Sequence, residues 1–372
     1  MTDPRLERLA RVLVDYSLAI KPGDRLMITA PPGAAEYVRE VCRRALRRGA
    51  LVSAALETPG LTEMLLKEGS ARQLEFLPPE SLCRARQYHA HLMFRAPENT
   101  RELSGCDPDK QKLLSRSRRP WVRLFYGREK QGRLRWCLTY TPTQALAMEA
   151  EMSLAEFEDF YFRACLCHRP DPVAAWQAVA RRQERLARFL SRKREIRILA
   201  PDTDLTIGVA GRKFINCRGD RNMPDGEVFT SPLEGSAEGR VRFTFPAIYN
   251  GRVVEDVRLV FKAGKVVAAS AAKNQAFLHK MLETDPGARR LGELAVGVNY
   301  GIDRFTKSIL FDEKIGGTVH MALGLAFPAA GGRNQSAIHW DLICDLRRGG
   351  RLLADGQVIQ ENGRFRKGLV PR

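Results

Sequence analysis

His339 and Asp341 alternate with apolar residues in the segment AIHWDLIC, which covers positions 337–344. If this segment is a β-strand, both side chains project from the same face. Burying an imidazole beside a carboxylate is costly unless a partner neutralises them. A divalent metal ion is such a partner, and imidazole and carboxylate are groups that it binds. The spacing therefore makes His339 and Asp341 candidate metal ligands.

His320 lies in a second segment of the same kind. In GTVHMALG, residues 317–324, alternate residues are apolar and His320 stands among small residues on the other face. A single histidine in such a place is more often a core residue that has found a hydrogen-bond partner. The chain has only six histidines, however. Two of them on adjacent predicted strands favour a shared chemical role.

Glu227 and Glu293 complete the candidate set. Glu227 follows Pro-Asp-Gly in PDGEVFT, residues 224–230, and these three residues predict a turn that delivers Glu227 to the start of a strand. Taken alone, the motif also fits a tight turn followed by an exposed glutamate. Glu293 ends the tripeptide LGE at 291–293. With the two histidines and Asp341, the sequence offers two imidazoles and three carboxylates.

These segments resemble motifs of the M29 metallo-aminopeptidases, also called the thermophilic aminopeptidase family. The similar motifs are N-x-PDGEVFT, LGE, DEK-x-GGT-x-H-x-ALG and N-x-SA-x-HWD. The amino-terminal segment LARVLVDYSLAIKPGDRLMI is similar to the family's opening helix and strand. The resemblance therefore covers most of the chain.

The resemblance implies an enzyme that removes amino-terminal residues from peptides, using water activated by two divalent metal ions (zinc, cobalt or manganese). It also implies a homodimer. The implied metal ligands are Glu227, Glu293, His320, His339 and Asp341. Five ligands suffice for two ions only if one carboxylate bridges them, and the resemblance assigns that role to Glu293. Glu227 and Glu293 are also the expected catalytic carboxylates.

Neighbouring groups should orient the histidines. Asp312, Glu313 and Asp345 are the candidates for that role.

The chain departs from the family at Phe327. Many members have a tyrosine seven residues after the first histidine, and its hydroxyl is thought to stabilise the reacting carbonyl oxygen. A phenyl ring cannot donate that hydrogen bond, and losing one such donor typically lowers the rate about 10²–10³-fold. Tyr249 and Tyr300 are alternative donors. We therefore expect metal binding with modest activity.

A mononuclear iron enzyme is the second hypothesis. The dihydroxypyridine ring-cleaving dioxygenases resemble this family and hold one Fe²⁺ with two histidines and one aspartate. His320, His339 and Asp341 would meet that requirement. Glu227 and Glu293 would then have no role, which favours the two-metal enzyme.

A third hypothesis is a non-catalytic protein that binds metal or RNA, suggested by Phe327 and a net charge of +18. Such a charge attracts anions. The basic residues are spread along the chain, however, and no RNA-binding motif occurs. A nucleic-acid partner is therefore not expected, and a peptide substrate is preferred.

The rest of the sequence predicts the elements that position these residues. In the first half, strands alternate with helices, which indicates an α/β fold with a mainly parallel sheet. No glycine-rich phosphate loop follows the first strand, so no nucleotide site is expected. The predicted strands are 25–30, 51–56, 88–94 and 121–127, and the predicted helices include 3–18, 34–48, 61–70, 79–86, 108–117 and 172–192. Thr141 is expected to cap a helix, and Ser153 to start a second one with a capping box.

From about residue 195, short strands rich in β-branched residues predict an α+β half with many antiparallel strands. Hairpin turns are expected at Asn250-Gly251, Ala263-Gly264, Asp355-Gly356 and Asn362-Gly363. We accordingly predict an amino-terminal α/β scaffold domain, residues 1–190, and a carboxy-terminal metal-binding catalytic domain, residues 191–372.

The composition is that of a globular protein, with 372 residues and 44% apolar residues. No run of eighteen apolar residues occurs, so no membrane span is expected. The first residues are charged and lack the apolar core of a signal peptide, and the eight cysteines are scattered. These features predict a cytoplasmic protein.

Overall fold

The computed structural model describes residues 3–249 and 251–366. The chain divides into two compact units. The first consists of Met1–Ala175 with Gly219–Met223, and the second of Trp176–Arg218 with Pro224–Arg372. The domain boundary expected at residues 190–191 stays a prediction.

The described residues form strands in both units. They are β1 Arg25–Ala30, β2 Leu51–Leu56, β3 Ala90–Arg95, β4 Arg135–Tyr140, β5 Glu195–Ala200, β6 Thr203–Gly208, β7 Ile215–Cys217, β8 Asn222–Met223, β9 Glu227–Thr230, β10 Glu238–Phe243, β11 Ala247–Tyr249, β12 Arg252–Val254, β13 Val257–Lys262, β14 Lys265–Ser270, β15 Leu291–Gly297, β16 Thr318–Gly324, β17 His339–Asp345, β18 Arg351–Ala354, β19 Gln357–Glu361 and β20 Arg364–Phe365.

The α-helices of the described residues lie mainly in the first unit. They are α1 Pro4–Arg11, α2 Ala35–Arg47, α3 Leu61–Glu68, α4 Ala71–Glu75, α5 Pro79–Gln87, α6 Pro108–Ser117, α7 Arg119–Lys130, α8 Gln144–Glu149, α9 Leu154–Ala164, α10 Pro172–Leu190, α11 Gln275–Leu282 and α12 Ile309–Asp312. The expected first helix continues beyond α1 as a π-helical turn, Val12–Ser17. Among the described residues, no helix combines the length and hydrophobicity that a transmembrane span needs.

The first unit contains a five-stranded sheet in the order β2-β1-β3-β4-β8, and every neighbouring pair is parallel. Buried apolar residues such as Leu26 and Ile28 in β1 anchor it. Parallel strands need crossover connections, and the helices between β1, β2, β3 and β4 provide them. The predicted α/β fold with a mainly parallel sheet is confirmed.

Residues 119–130 form helix α7 and not the strand predicted at 121–127. The aromatic and β-branched residues of that segment favour a strand by propensity. Trp121 and Phe125 are four residues apart, however, and their rings stack at 4.7 Å, while Phe125 is buried. Pro120 lies in the first turn of the helix, where its missing N–H is tolerated. Helical packing of the aromatic face thus overrides the local preference.

The fourth parallel strand is β4, which the sequence pattern did not predict. Its segment RWCLTY mixes charged, aromatic and small residues, so its alternation is weak. It pairs with β3 over six residues, from Ala90 opposite Arg135 to Arg95 opposite Tyr140. Tertiary pairing therefore defines this strand more than its composition does.

The helix for which Thr141 is the predicted cap begins two residues later than expected. Thr143 is the residue that caps α8, and its Oγ1 accepts a hydrogen bond from the backbone N–H of Leu146 at 3.2 Å. Extended backbone at Thr143 places its hydroxyl over the first turn. The capping box predicted at Ser153 is confirmed, with Glu156 as the reciprocal partner.

The second unit contains two large antiparallel sheets besides the two-stranded pair β11-β12. One has eight strands in the order β14-β13-β10-β6-β5-β18-β19-β20, and the other has five in the order β17-β16-β15-β9-β7. The predicted hairpins at Ala263-Gly264, Asp355-Gly356 and Asn362-Gly363 are confirmed, each with two consecutive residues of positive φ. Strands β11 and β12 also form a hairpin, but Asn250 in its turn lies outside the described residues. The predicted half rich in antiparallel strands is confirmed.

One large apolar core joins the two antiparallel sheets to helices α10 and α11. The five-stranded antiparallel sheet contributes Trp340, Met321 and Leu294 to this core, all almost completely buried. Because side chains alternate along a strand, the neighbours of these residues point to the opposite face. That face carries the candidate ligands.

Candidate metal centre

The register of the five-stranded antiparallel sheet brings four predicted ligands to one face. Ala322 in the middle strand β16 lies opposite Glu293 on β15 and opposite Asp341 on β17. His320 precedes Ala322 by two residues, and His339 precedes Asp341 by two. The pleat therefore directs all four side chains to the same side.

Glu227 reaches this face from β9, whose first residue it is, as predicted. It lies opposite Gly297 on β15. The turn before it is tight: Gly226 has φ 130°, and a Cβ there would lie 2.6 Å from the Cβ of Asn299. The Asn299 side chain donates to the carbonyl of Asp225 at 2.7 Å. The turn and its amide brace thus fix the point at which Glu227 enters the sheet.

A β-bulge at Gly292 accounts for the tripeptide LGE. Leu291 lies opposite Leu323, and Glu293 lies opposite Ala322, so Gly292 is an extra residue between the two pairs. Without the bulge, Leu291 and Glu293 would share a face. A Cβ on Gly292 would lie 2.2 Å from the carbonyl oxygen of Leu325. Glycine thus allows leucine to enter the core and glutamate to face the site.

The ligand atoms lie close together. His320 Nε2 is 3.3 Å from Glu227 Oε2 and 3.9 Å from Glu293 Oε1. His339 Nε2 is 3.1 Å from Glu293 Oε2 and 3.6 Å from Asp341 Oδ1. Glu293 therefore lies between the histidines and presents one carboxylate oxygen to each.

Three buried polar atoms of this cluster have no hydrogen-bond partner among the described residues: Glu227 Oε2, Asp341 Oδ1 and His320 Nδ1. Glu227 and His320 are only 6% and 1% exposed. A buried polar atom without a partner costs about 1–3 kcal/mol. A cation would satisfy the carboxylate oxygens, and neutral imidazole is a common metal ligand. The donor set thus fits divalent ions.

Groups of at least three donor atoms within 4.8 Å of one another identify where ions would fit. The groups are Glu227, Glu293 and His320; Glu293, His339 and Asp341; Glu313, His320 and Asp341; and Cys217, Asp225 and Glu227. The first two groups together contain all five predicted ligands and share Glu293.

In this cluster, buried carboxylates and imidazoles shift one another's pKa values. Burial raises the pKa of Glu227 and of Glu293. Burial acts in the opposite sense on His339, but Asp341 and Glu293 outweigh it and raise the pKa of His339 to about 11. Burial would likewise raise the pKa of Asp341, but the His339 charge keeps it below its ordinary value. Without metal, a proton on His339 takes the place of a cation.

His339 is oriented by the main chain. Its Nδ1–H donates to the carbonyl oxygen of Leu325 at 2.8 Å, which leaves Nε2 facing Glu293. Of the three acidic residues considered for orienting the histidines, only Glu313 reaches the cluster. Asp312 accepts from the N–H and hydroxyl of Thr306, and Asp345 pairs with Arg347.

Phe327 lies at the site, with its ring edge-on to His339 at 5.0 Å between centroids. A phenyl ring there supplies packing and no hydrogen-bond donor. The two tyrosines proposed as substitutes have other partners: Tyr300 donates to the carbonyl of Gly363 at 2.9 Å, and Tyr249 packs on Trp340, on the core side of β17.

Lys314, Cys217 and Asp225 also belong to this region, although the sequence pattern did not single them out. Lys314 has no exposed surface, and its ammonium pairs with Glu313. The signal for it was the run Asp312-Glu313-Lys314 within an otherwise apolar stretch. Cys217 lies opposite Glu227 on β7, a register that the sequence does not reveal.

Comparison with known proteins identifies the family of the chain. The family model described as thermophilic metalloprotease (M29) matches residues 2–365. The chain is similar to Aminopeptidase 2 of Geobacillus stearothermophilus, at 29% identity over 355 residues, or 88% of this chain and 84% of that protein. It is similar to Aminopeptidase T of Thermus aquaticus, at 28% identity over 353 residues, or 87% and 85% of the two chains.

A solved structure has the same fold. The chain superposes on wild-type AmpT from Thermus thermophilus with a TM-score of 0.84 and 25% identity, covering 97% of this chain and 98% of that one.

Proposed function

The chain belongs to the thermophilic metalloprotease (M29) family, and on that premise we propose that it removes amino-terminal residues from peptides with two divalent metal ions. The observation that carries this proposal is Glu293, whose two oxygens face different histidines at 3.9 and 3.1 Å. A carboxylate in that position suits a bridge between two ions. Zinc, cobalt and manganese all accept this donor set.

We assign the ligands as two groups that share Glu293. Glu227 and His320 would hold one ion, and His339 and Asp341 the other. The unpartnered buried oxygens of Glu227 and Asp341 support this division, because each belongs to a different group. When bound, a pair of such ions would lower the pKa of a water molecule and polarise a peptide carbonyl.

The residues of the chain supply the remaining functions. Besides holding the ions, Glu227 and Glu293 are the carboxylates to which we assign proton transfer from the attacking water, because both lie in the cluster with His320. The Leu325 carbonyl keeps His339 Nε2 directed into the site. Phe327 packs edge-on against His339 and carries no hydroxyl that could donate to the reacting oxygen.

Two observations favour the peptidase over the ring-cleaving dioxygenase. The family match covers nearly the whole chain. In addition, Glu227 and Glu293 point into the same cluster as the two histidines, where a single iron held by two histidines and Asp341 would leave them without a role.

The experiment is a metal analysis combined with a peptide assay. Protein purified without added metal is assayed for bound metals and for release of the first residue of dipeptide amides. We expect two equivalents of divalent metal per chain and release of the first residue. One equivalent of iron without peptide cleavage would favour the dioxygenase, and no metal would favour the non-catalytic protein.

A homodimer and a cytoplasmic location remain part of the proposal. Light scattering at micromolar concentration tests the first, and a monomer there would remove it. Fractionation of cells that express the protein tests the second.

A further inference from the structure

Lys314 is a completely buried lysine inside the acidic region of the metal centre. Its side chain has no exposed surface, and its ammonium donates to the carboxylate of Glu313. Glu313 in turn offers an oxygen within 4.8 Å of donor atoms on His320 and Asp341. Lysine is almost never fully buried unless it is paired. The burial of Lys314 therefore depends on its charged neighbours.

A second acidic group of the metal centre is formed by Cys217, Asp225 and Glu227. Burial opposes the charge on Lys314, but Glu313, Glu227 and Asp225 outweigh it and raise the pKa of the ammonium above its ordinary value. The lysine acts back on this group, because its charge opposes the rise in pKa that burial causes at Glu227. Lys314 thus contacts Glu313 directly, and its charge also acts on Asp225 and Glu227.

The backbone holds Lys314 in this position. Asn299 donates its N–H to the carbonyl oxygen of Lys314 at 3.0 Å, and its side chain donates to the carbonyl of Asp225. One asparagine therefore ties the lysine to the turn that carries Asp225 and Glu227. These two hydrogen bonds fix the backbone of Lys314 close to the backbone of Asp225 without a metal ion.

Charge balance indicates what the lysine does. The donor groups of the centre contain five carboxylates: Asp225, Glu227, Glu293, Glu313 and Asp341. Two divalent ions would neutralise four of these charges, and one ammonium would neutralise the fifth. Uncompensated charge in a buried site is strongly destabilising.

We infer that Lys314 is a built-in cation of the metal centre, which holds Asp225, Glu227 and Glu313 together before metal binds and leaves negative charge for two divalent ions. This inference rests on the metal centre of the proposed function. Lys314 is a positioning residue, since it acts through the carboxylates and not on the substrate.

The test compares thermal unfolding in chelator and in saturating Mn²⁺ for Lys314→Met, Glu313→Gln and the double variant. Lys314→Met leaves the carboxylates uncompensated, so its melting temperature in chelator should fall by about 5–10 °C. Mn²⁺ should recover most of that loss, so the metal-induced rise is larger than in the wild type. The double variant restores the charge balance and should regain stability in chelator.

Lys67→Met is the matched control, because Lys67 pairs with Glu63 on an exposed helix face and should tolerate the change. If Lys314→Met lowers the melting temperature equally with and without Mn²⁺, the lysine contributes packing alone, and the inference is overturned. An unchanged melting temperature would also overturn it. If Lys314→Met does not fold, the double variant decides: recovery supports the inference and failure overturns it.

Neither readout needs a peptide, so the two proposals can fail separately. If the melting temperatures of the variants change as predicted but the protein has no peptidase activity, only the proposed function is overturned. If the protein has peptidase activity but the melting temperatures do not change as predicted, only the role of Lys314 is overturned.

Discussion

Phe327 meets the imidazole of His339 edge-on, with the ring centroids 5.0 Å apart and the planes inclined by 72°. The aromatic ring therefore touches a proposed metal ligand while offering it no polar group. Phe229 also packs on Phe327, with the ring centroids 5.1 Å apart. The position of Phe327 beside a proposed metal ligand allows two functions to be tested independently. One is metal binding, and the other is stabilisation of the transition state by a hydroxyl donor.

Phe327→Tyr should leave metal content unchanged and raise kcat, because it restores a hydroxyl beside the ligands. The gain is at most on the order of 10²–10³-fold, the usual contribution of one such donor. Metal analysis and steady-state kinetics on a dipeptide amide measure the two effects. Phe229→Tyr is the control, since it adds a hydroxyl one ring farther from His339. Full metal loading with no turnover in wild type and Phe327→Tyr alike, across a broad peptide panel, would rule out the aminopeptidase.

His339→Ala should abolish binding of at least one metal ion, because it removes the Nε2 donor that faces Glu293. It should also lower the stability of the metal-loaded protein, since bound metal stabilises only the folded state. The measurements are metal content after dialysis and the melting temperature with Mn²⁺. His279→Ala, which removes an exposed histidine bonded to the Ala269 carbonyl, should change neither. Retention of both ions by His339→Ala would contradict the ligand assignment.

The pH dependence of stability should differ between metal-free and metal-loaded protein. In the metal-free state the pKa of His339 rises from 6.5 to about 11, because Asp341 and Glu293 outweigh the effect of burial. A histidine with a raised folded pKa stabilises the fold fully below its unfolded pKa and loses that contribution as pH rises through the folded value. The melting temperature in chelator should therefore fall as pH increases from about 6.5 towards 11.

Metal binding should strengthen over the same range, because it displaces the proton from His339. The difference between the melting temperatures with Mn²⁺ and with chelator should thus widen as pH rises from about 6.5 towards 11. A melting-temperature difference that stays constant with pH in the wild type would contradict the role of the His339 proton. A difference that widens equally in His339→Ala would contradict it as well.

Gly292→Ala should distort the bulge that separates Leu291 from Glu293. The added Cβ would lie 2.2 Å from the carbonyl oxygen of Leu325, which is the acceptor for His339. Overpacking of this kind typically costs about 1–3 kcal/mol, and here it should also weaken metal binding. Chemical denaturation and metal titration measure the two effects.

Gly105→Ala provides the comparison for that variant, because a Cβ there meets nothing within 4 Å. Unaltered metal affinity in Gly292→Ala would show that the bulge does not position the centre.

The alternation of His339 and Asp341 with apolar residues was enough to predict one face of a strand, because strict alternation is characteristic of a strand with one buried face. The same reasoning failed at residues 119–130, where aromatic residues fit both a strand and a helix. There, the stacking of Trp121 on Phe125 decides, and such a contact is visible only in the fold.

The role of Lys314 could not be predicted from its type, since most lysines are exposed and its partners come from distant parts of the chain. The bulge at Gly292 was hidden for a related reason. Glycine in a strand indicates irregularity, but only the pairing with β16 shows which neighbours change face. The local sequence pattern was thus enough to identify the candidate ligands. Their arrangement relative to one another depends on the pairing of strands that are distant in the sequence.

The two-sided nature of strands β16 and β17 has a consequence for how this protein can vary. Loss or gain of a single residue between His339 and Asp345 would exchange the sides of every residue beyond it. An insertion directly after His339, for example, would turn Trp340 and Leu342 towards the ions and Asp341 into the apolar core. Point substitutions can change the metal affinity of such a centre by small steps. A one-residue insertion or deletion within either strand would instead exchange the core-facing and site-facing side chains beyond it. We expect sequence libraries that preserve length here to yield folded variants, and libraries with single-residue indels to yield almost none.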